Sequence, residues 1–193
     1  MDTLRECGLS DNTVVIYASD HGSHFRTRNG EYKRSCEDGC LHVPLIAWGG
    51  VFDGGGRIGE MVSLIDIPPT ILDLAGVEIP EHYQGNSLLK LRKGMSENWP
   101  QSVFAQISES ETARMIRTKE WCYCVCAPVF NYNDAFSDTY VEEKLYDLVN
   151  DPNENHNLVK DAAYASVRAI LREKLLEYMK KAQEPEARIL PAE

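Results

Sequence analysis

A carboxylate and an imidazole stand next to each other directly after an apolar segment of this 193-residue chain. Asp20 and His21 follow the apolar run over residues 13–18, and Gly22 comes next, where the backbone can approach a ligand closely. A hard carboxylate oxygen and a neutral imidazole nitrogen can together bind a divalent cation. The alternative is a capping aspartate beside a solvated histidine, and these residues alone do not decide between the two.

Further basic and imidazole side chains follow in a polar stretch that has the periodicity of neither a helix nor a strand. His24, Arg26, Arg28 and Lys33 all lie between residues 21 and 40. A long irregular loop of this kind usually has a function. The sequence therefore predicts a functional loop here, and the alternative is a loop whose side chains are solvated.

Two short apolar segments must position these residues. Residues 13–18 and 43–48 are β-branched, aromatic or aliphatic on both faces, which is typical of central strands in a parallel sheet. Asp20 and His21 then lie at the carboxyl end of the first strand. Open α/β sheets bind their ligands at that edge, because the loops that leave the strands line a shared crevice there. The sequence therefore predicts an α/β fold with its site at this edge.

Helix signals flank the two strands. Residues 1–10 are typical of the end of a helix that Gly8 terminates. Residues 61–65 are a candidate for a further short strand. Asp66 is placed as the N-cap of a helix with two prolines in its first turn, and Gly76 is placed to end that helix.

The second half of the chain predicts a smaller, separate domain. A segment rich in Pro, Gly, Asn and Lys connects the halves over residues 78–99. The runs VFAQIS, MIRT, WCYCVC and KLYDL follow, separated by polar turns, and predict a small antiparallel sheet. Apolar residues at spacings of 3 and 4 over residues 160–182 predict an amphipathic helix on this sheet. We therefore expect two domains, over residues 1–95 and 96–193.

The charge and hydropathy of the chain exclude several functional classes. A net charge of −10 argues against binding nucleic acid, which requires clustered Lys and Arg. A composition of 43% hydrophobic and 26% charged residues is typical of a folded globular protein. Because no apolar signal core follows Met1 and no run of about 18 apolar residues occurs, we expect neither secretion nor membrane insertion.

The six cysteines predict reduced thiols in a cytoplasmic protein. Cys122, Cys124 and Cys126 alternate along one predicted strand, where side chains two apart are separated by roughly 6 to 7 Å and rarely form a disulfide. A zinc site has little support because the sequence contains no CxxC pair. Burial as small apolar side chains is the simplest expectation.

Four motifs, read together, give the chain a family resemblance. SDHG follows a strand, Lys33 precedes the VPLI segment by ten residues, and DIPPTILDLAG and KLYDLVNDPNENHNL come later. In this order, over residues 13–158, they resemble the sulfatase family of the alkaline phosphatase superfamily. The resemblance implies the C-terminal portion of an alkaline phosphatase-like mixed or parallel sheet with helices. It also implies a small antiparallel-sheet subdomain packed by a C-terminal helix.

The resemblance also implies roles for individual residues. Asp20 and His21 match metal ligands of the family, which bind calcium or magnesium together with two aspartates from an earlier strand. Lys33 matches the catalytic lysine that contacts the sulfate and stabilises charge on its oxygens. His24, Arg26 and Arg28, in the intervening loop, become candidate contacts to an anionic or polyhydroxyl substrate, which is expected to be a sulfated sugar or a small sulfate ester.

Two positions near Lys33 depart from the family pattern. Glu37 stands where an aromatic residue or a histidine is expected, and His42 stands where arginine is commoner. A carboxylate near the sulfate would weaken anion binding.

The family's nucleophile is a formylglycine made from a Cys/Ser-x-Pro-x-Arg motif, and the sequence contains no such motif. Cys126, Ala127 and Pro128 begin one, but Phe130 occupies the arginine position. The paired aspartates of the first strand have no counterpart either. We therefore expect a sulfatase fragment that lacks its nucleophile, and whether the chain alone is an enzyme stays open.

Three interpretations follow from these motifs. The first is a fragment of a sulfatase that associates with an N-terminal half or with itself, because interior strands need neighbours on both sides. The second is a phosphodiester or phosphonate ester hydrolase of the same superfamily. The third is a non-catalytic binding or assembly domain that keeps the fold.

Overall fold

The computed structural model describes residues 1–131 and 134–192. The helices in this part of the chain are α1 (Asp2–Glu6), α2 (Asp38–Leu41), α3 (Ile67–Leu74), α4 (Leu89–Arg92) and α5 (Ala165–Lys181). The strands are β1 (Val15–Ala18), β2 (Leu45–Trp48), β3 (Ser102–Glu109), β4 (Glu111–Thr118), β5 (Trp121–Cys126), β6 (Thr139–Asp147) and β7 (Arg188–Leu190). Short 3-10 turns cover Ser10–Asn12, Gly50–Phe52, Leu64–Asp66 and Ala162–Tyr164.

The chain forms two compact units. The first unit contains residues 1–21 and 43–100, and the second contains residues 22–42 together with the chain from residue 101 onward. The sequence placed residues 22–42 in the first domain because they follow β1 directly. Their contacts instead place them with the second unit. No helix among the described residues is both long enough and apolar enough to cross a membrane.

In the first unit, β1 and β2 form a two-stranded antiparallel sheet with Val15 opposite Trp48. Their apolar patterns predicted parallel strands. Such a pattern reports burial on both faces of a strand and not its direction, which explains the difference. Tyr17 and Ile46 face each other across this sheet with 62% and 59% of their surfaces exposed. This small sheet therefore presents an apolar face within the first unit.

The helix predicted after Asp66 is present as α3, with prolines in its first turn. Asp66 does not cap this helix with its side chain. Its carboxylate instead accepts hydrogen bonds from the backbone N–H groups of Ser63 (2.8 Å) and Asn86 (2.7 Å). The predicted strand over residues 61–65 is absent from the described structure, since the capping box of Ser63 and Asp66 favours a 3-10 turn there.

The second unit contains a five-stranded sheet in the order β3-β4-β5-β6-β7. The four strands that the sequence predicted pair antiparallel, and β7 pairs parallel to β6 at the edge. The sequence did not predict β7, because three residues are too short for a recognisable strand pattern. The sheet is therefore mixed, with an antiparallel centre.

Helix α5 covers one face of this sheet, as predicted. Leu171, Leu175 and Met179 are buried in a core that they share with side chains of β4, β5 and β6. Residues 22–42 cover the other face, where Cys36 packs against Met115. The sheet thus has a helix on one side and an irregular segment on the other.

Candidate functional site

Asp20 and His21 lie in the first unit, just beyond the end of β1. The Ser19 hydroxyl donates to the carbonyl of His21 at 2.8 Å and fixes the turn. The Nε2 atom of His21 lies 3.5 Å from Oδ2 of Asp20, whose side chain is 85% exposed. Ligand atoms bound to one divalent ion at about 2.0 to 2.5 Å stand at a comparable separation. The pair therefore has the chemistry and the spacing to share a cation.

His24 and Lys33 are brought together in the second unit. His24 is buried, and its Nε2 atom lies 3.2 Å from the carbonyl oxygen of Lys33. Because that oxygen can only accept, Nε2 carries the proton and Nδ1 is left as an acceptor. Nδ1 is buried and has no hydrogen-bond partner among the described residues. His24 therefore contacts the backbone at Lys33, and its second ring nitrogen lies buried.

The remaining basic candidates have different environments. The Lys33 ammonium lies 5.7 Å from the centroid of the Tyr32 ring. Arg26 is exposed, in the left-handed region at φ 64°. Arg28 donates through its guanidinium to the backbone carbonyls of Asn153 (2.6 Å) and Glu154 (2.5 Å). Arg28 is thus engaged with the protein itself, and its contact with a ligand stays a prediction.

Glu37 does not add an uncompensated charge, contrary to the expectation from the sequence. Its carboxylate is buried, accepts a hydrogen bond from the Tyr146 hydroxyl at 2.9 Å and lies 3.3 Å from the Lys144 ammonium. Burial raises the pKa of Glu37, but a hydrogen bond from Ser35, the charge of Lys144 and the Tyr146 hydroxyl together hold that pKa below its ordinary value. The carboxylate is therefore paired inside the second unit.

The predicted site residues are divided between the two units. Asp20 and His21 belong to the first unit, whereas His24, Arg26 and Lys33 belong to the second. Each group occupies the kind of position that its sequence predicted, at a strand end and in an irregular segment. The convergence of all of them on one anion and one cation stays a prediction.

A group of possible metal ligands that the sequence did not reveal lies on the second unit's sheet. Donor atoms of Glu111, Cys126 and Glu143 lie within 4.8 Å of one another. A register shift between Cys124 and Val125 makes Glu143 an extra residue on β6, and bulges of this kind redirect side chains. Neighbours on different strands leave no spacing pattern in the sequence, which explains why this group was missed.

Burial and the closeness of these three side chains raise the pKa of two of them. Burial first, and then the neighbouring Glu143, raise the pKa of Glu111 to about 7. Burial and the nearby carboxylates also raise the pKa of Cys126 to about 12. A proton held by Glu111 would relieve the repulsion between the two carboxylates.

We expect Glu111→Gln to remove a pH dependence of stability. The pKa of Glu111 is about 7 in the folded protein, above its ordinary value of 4.5, so the folded state binds this proton more tightly than the unfolded state. Stability therefore falls as the pH rises from 4.5 to about 7. Urea unfolding at pH 5 and pH 8 is the measurement. Between pH 5 and pH 8, the free energy of unfolding of the parent should fall by about 1 to 2 kcal/mol more than that of the variant, allowing for partial solvent screening.

Glu120→Gln is the matched control, because Glu120 lies exposed in the turn between β4 and β5. It should keep the parent's pH dependence. If Glu111→Gln and Glu120→Gln unfold with the same pH profile, Glu111 is not protonated near neutral pH.

The sequence is similar to sulfatases over most of its length. Residues 30–181 match the family described as "N-sulphoglucosamine sulphohydrolase, C-terminal". Arylsulfatase K of Bos taurus is 34% identical over 182 residues, which cover 89% of this chain and 32% of that protein. The chain thus spans about a third of the length of this curated relative.

The fold is similar to two solved structures. One is of a protein in complex with its substrate D-glucosamine-2-N,6-O-disulfate, at 27% identity and a TM-score of 0.74, over 94% of this chain and 37% of that chain. The other is a 2-O GAG sulfatase, at 26% identity and a TM-score of 0.77, over 94% of this chain and 39% of that chain.

Proposed function

This chain belongs to the sulfatase family, through residues 30–181 and its arylsulfatase relatives, and from this we propose that it supplies metal-binding and sulfate-binding residues of a sulfuric ester hydrolase. The observation that carries the proposal is the pair of Asp20 and His21 just beyond the end of β1, with Oδ2 and Nε2 3.5 Å apart. The proposal assigns this chain part of an active site, because the chain spans about a third of the relative's length.

The donor atoms at the end of β1 fit a hard divalent cation. A carboxylate oxygen and an imidazole nitrogen are suitable ligands for calcium or magnesium when further oxygen ligands complete the shell. Asp20 and His21 would hold the ion, and the ion would stabilise negative charge on the sulfate oxygens. The exposed carboxylate of Asp20 is accessible to such an ion.

We propose Lys33, His24 and Arg26 as the groups for the sulfate and its sugar. The ammonium of Lys33 would neutralise charge that develops on the sulfate oxygens during cleavage of the S–O bond. We also propose His24 as a substrate-binding residue, on the support of its contact with the backbone carbonyl of Lys33. Arg26, which is exposed, is available to a second anionic group.

A sulfated sugar is the substrate class that we propose. It is supported by the two solved relatives, since one is bound to its substrate, a glucosamine disulfate, and the other is a 2-O GAG sulfatase. Both are at least 26% identical to this chain. These relatives favour a sulfate ester over a phosphodiester or phosphonate ester.

We further propose an N-terminal sulfatase segment as the partner of this chain, in the same chain or in another, and a cytoplasmic location. Tyr17 and Ile46 are exposed on one face of the β1–β2 sheet, which supports a partner that covers this face. A second copy of the chain is the alternative partner.

The six free cysteines agree with the reducing compartment that we propose for this chain, and cell fractionation tests its cytoplasmic location.

A chimera tests the proposed function. This chain replaces the corresponding C-terminal region of arylsulfatase K, and hydrolysis of an aryl sulfate is measured with added calcium. We expect activity in the chimera and a loss of about 100-fold in kcat/KM for Lys33→Ala, because one charge-stabilising group is removed. The isolated chain should be inactive, since its sequence has no Cys/Ser-x-Pro-x-Arg motif.

Lys119→Ala is the control for this substitution, because Lys119 is an exposed lysine in a turn of the same unit. It should leave kcat/KM unchanged. Equal activity of the Lys33→Ala and Lys119→Ala chimeras would contradict the assigned role of Lys33. A folded chimera without activity would favour the non-catalytic interpretation.

A further inference from the structure

The turn over residues 147–158 is unusually well organised for a connection between a strand and a helix. Its motif marks the family resemblance, but the proposed function gives it no role. The Asp147 carboxylate accepts from the backbone N–H groups of Val149 and Asn150, both at 3.1 Å. The carboxylate of Asp151 accepts from the N–H of His156 at 2.7 Å. Side chains within the turn therefore fix its backbone locally.

The turn is also attached to the sheet below it. The side-chain oxygen of Asn157 accepts hydrogen bonds from the N–H groups of Leu145 and Val159, at 3.0 and 3.1 Å. Its amide group donates to the carbonyl of Glu143 at 2.8 Å. The side chain of Asn157 thus joins the turn to the end of β6.

Glu154 is the residue of this turn whose side chain contacts the rest of the second unit. Its backbone adopts the left-handed region at φ 55°, which is uncommon for glutamate, and its side chain is 2% exposed. A buried carboxylate requires partners. Glu154 has two: its Oε1 accepts from Arg117 at 2.7 Å, and its Oε2 accepts from the backbone N–H of Asp38 at 2.7 Å.

Both partners lead to the segment that contains Lys33. Asp38 begins α2, the helical turn within residues 22–42, and the Arg117 guanidinium also binds the Asp38 carboxylate at 2.6 Å. From the other end of the segment, Arg28 donates to the carbonyls of Asn153 and Glu154. The turn therefore holds the segment before and after Lys33.

The segment itself has little other regular structure. Among its described residues, α2 is a helix of four residues and no strand occurs. A segment of this kind depends on contacts with its surroundings for a single conformation. Three charge-assisted hydrogen bonds join the segment to the turn over residues 147–158, two from Arg28 and one from the N–H of Asp38. Such bonds are among the stronger hydrogen bonds of proteins.

We propose that Glu154 is the positioning residue for Lys33, and that the turn over residues 147–158 is the platform on which the Lys33 segment is held. Glu154 acts through the Asp38 amide and Arg117 and makes no contact with the substrate. This inference rests on the proposed function, because the sulfate-binding role of Lys33 is what the positioning serves.

Hydrogen exchange on the full chain tests the anchoring. In Glu154→Gln, which keeps the shape of the side chain but not its charge, amides within residues 22–42 should exchange about tenfold faster. Amides of α5 should exchange as in the parent. Asn153→Ala is the matched control, since the side chain of Asn153 is exposed and only its backbone carbonyl is used; it should leave both regions unchanged.

Acetylation of individual lysines, followed by mass spectrometry, tests the effect on Lys33 itself. We expect Glu154→Gln to raise the acetylation rate of Lys33 severalfold and to leave that of exposed Lys119 unchanged. General destabilisation would instead raise exchange and acetylation throughout the unit.

The proposal is overturned if residues 22–42 exchange at the parent's rate in Glu154→Gln, or if Lys33 responds no more than Lys119 does. Both measurements need no enzymatic activity. An inactive chimera would therefore remove the proposed function and leave the anchoring by Glu154 to be decided by exchange and acetylation.

Discussion

Arg114→Leu is expected to destabilise the folded chain by about 3 to 5 kcal/mol, because it removes one member of a buried ion pair. The guanidinium of Arg114 is buried on β4 and lies 2.7 Å from the Glu184 carboxylate. It also donates to the backbone carbonyls of Ile107, Ala113 and Ala135, at 2.7 to 3.2 Å. Leucine leaves the carboxylate and these carbonyls without their donor, and buried polar groups without partners are costly. Urea unfolding measures the loss.

Two variants separate the ion pair from general effects. Arg188→Leu, at an exposed position of β7, should change the free energy of unfolding by less than about 0.5 kcal/mol. The double variant Arg114→Leu with Glu184→Leu should recover part of the loss, because the unpaired carboxylate is removed as well. If Arg114→Leu unfolds within about 1 kcal/mol of the parent, the buried pair is not important for stability.

Arg114 also shows where prediction from the sequence ends. The run MIRT correctly predicted a strand, since β-branched and apolar residues favour a pleated surface. Arg114 itself precedes that run, and its partner Glu184 is 70 positions away. A charged residue on a strand is ordinarily expected to face solvent. Its burial depends on a contact that only the folded chain creates.

Local patterns predicted the elements better than their arrangement. Spacings of 3 and 4 predicted α5, and the Asp66 region predicted α3, because those signals lie within one element. The antiparallel pairing of β1 with β2 and the parallel pairing of β7 with β6 were not predicted. Strand direction depends on which segments meet, and the residues of one strand do not encode it.

The candidate site shows the same division between residues and their contacts. The placement of Asp20 and His21 beyond the end of β1 followed from the sequence, because both come directly after the strand. The ion pair of Glu37 with Lys144 and its hydrogen bond from Tyr146 did not follow from the sequence, since those partners lie more than a hundred positions away. Motifs therefore identified the groups that can do chemistry, whereas only the structure shows how their charges are compensated.

The second large effect is expected at the helix that covers the sheet of the second unit. Leu175→Ala should destabilise the folded chain by about 2 to 5 kcal/mol, because it removes buried methyl groups and leaves a cavity. Leu175 is fully buried on α5, in the core formed with Ile116, Tyr123 and Leu145. Alanine is a good helix former, so the loss would reflect packing and not helix propensity. Urea unfolding followed by circular dichroism measures it.

Ile170→Ala tests this explanation on the same helix, because Ile170 is 68% exposed. It should change stability by less than about 0.5 kcal/mol. Equal losses for Ile170→Ala and Leu175→Ala would show that α5 does not pack on the sheet through its predicted stripe. Leu175→Ala should also accelerate hydrogen exchange in α5 and in residues 22–42 alike, since both lie on the sheet whose core it weakens. Glu154→Gln should accelerate exchange only in residues 22–42, so the two variants distinguish loss of the core from loss of the anchor.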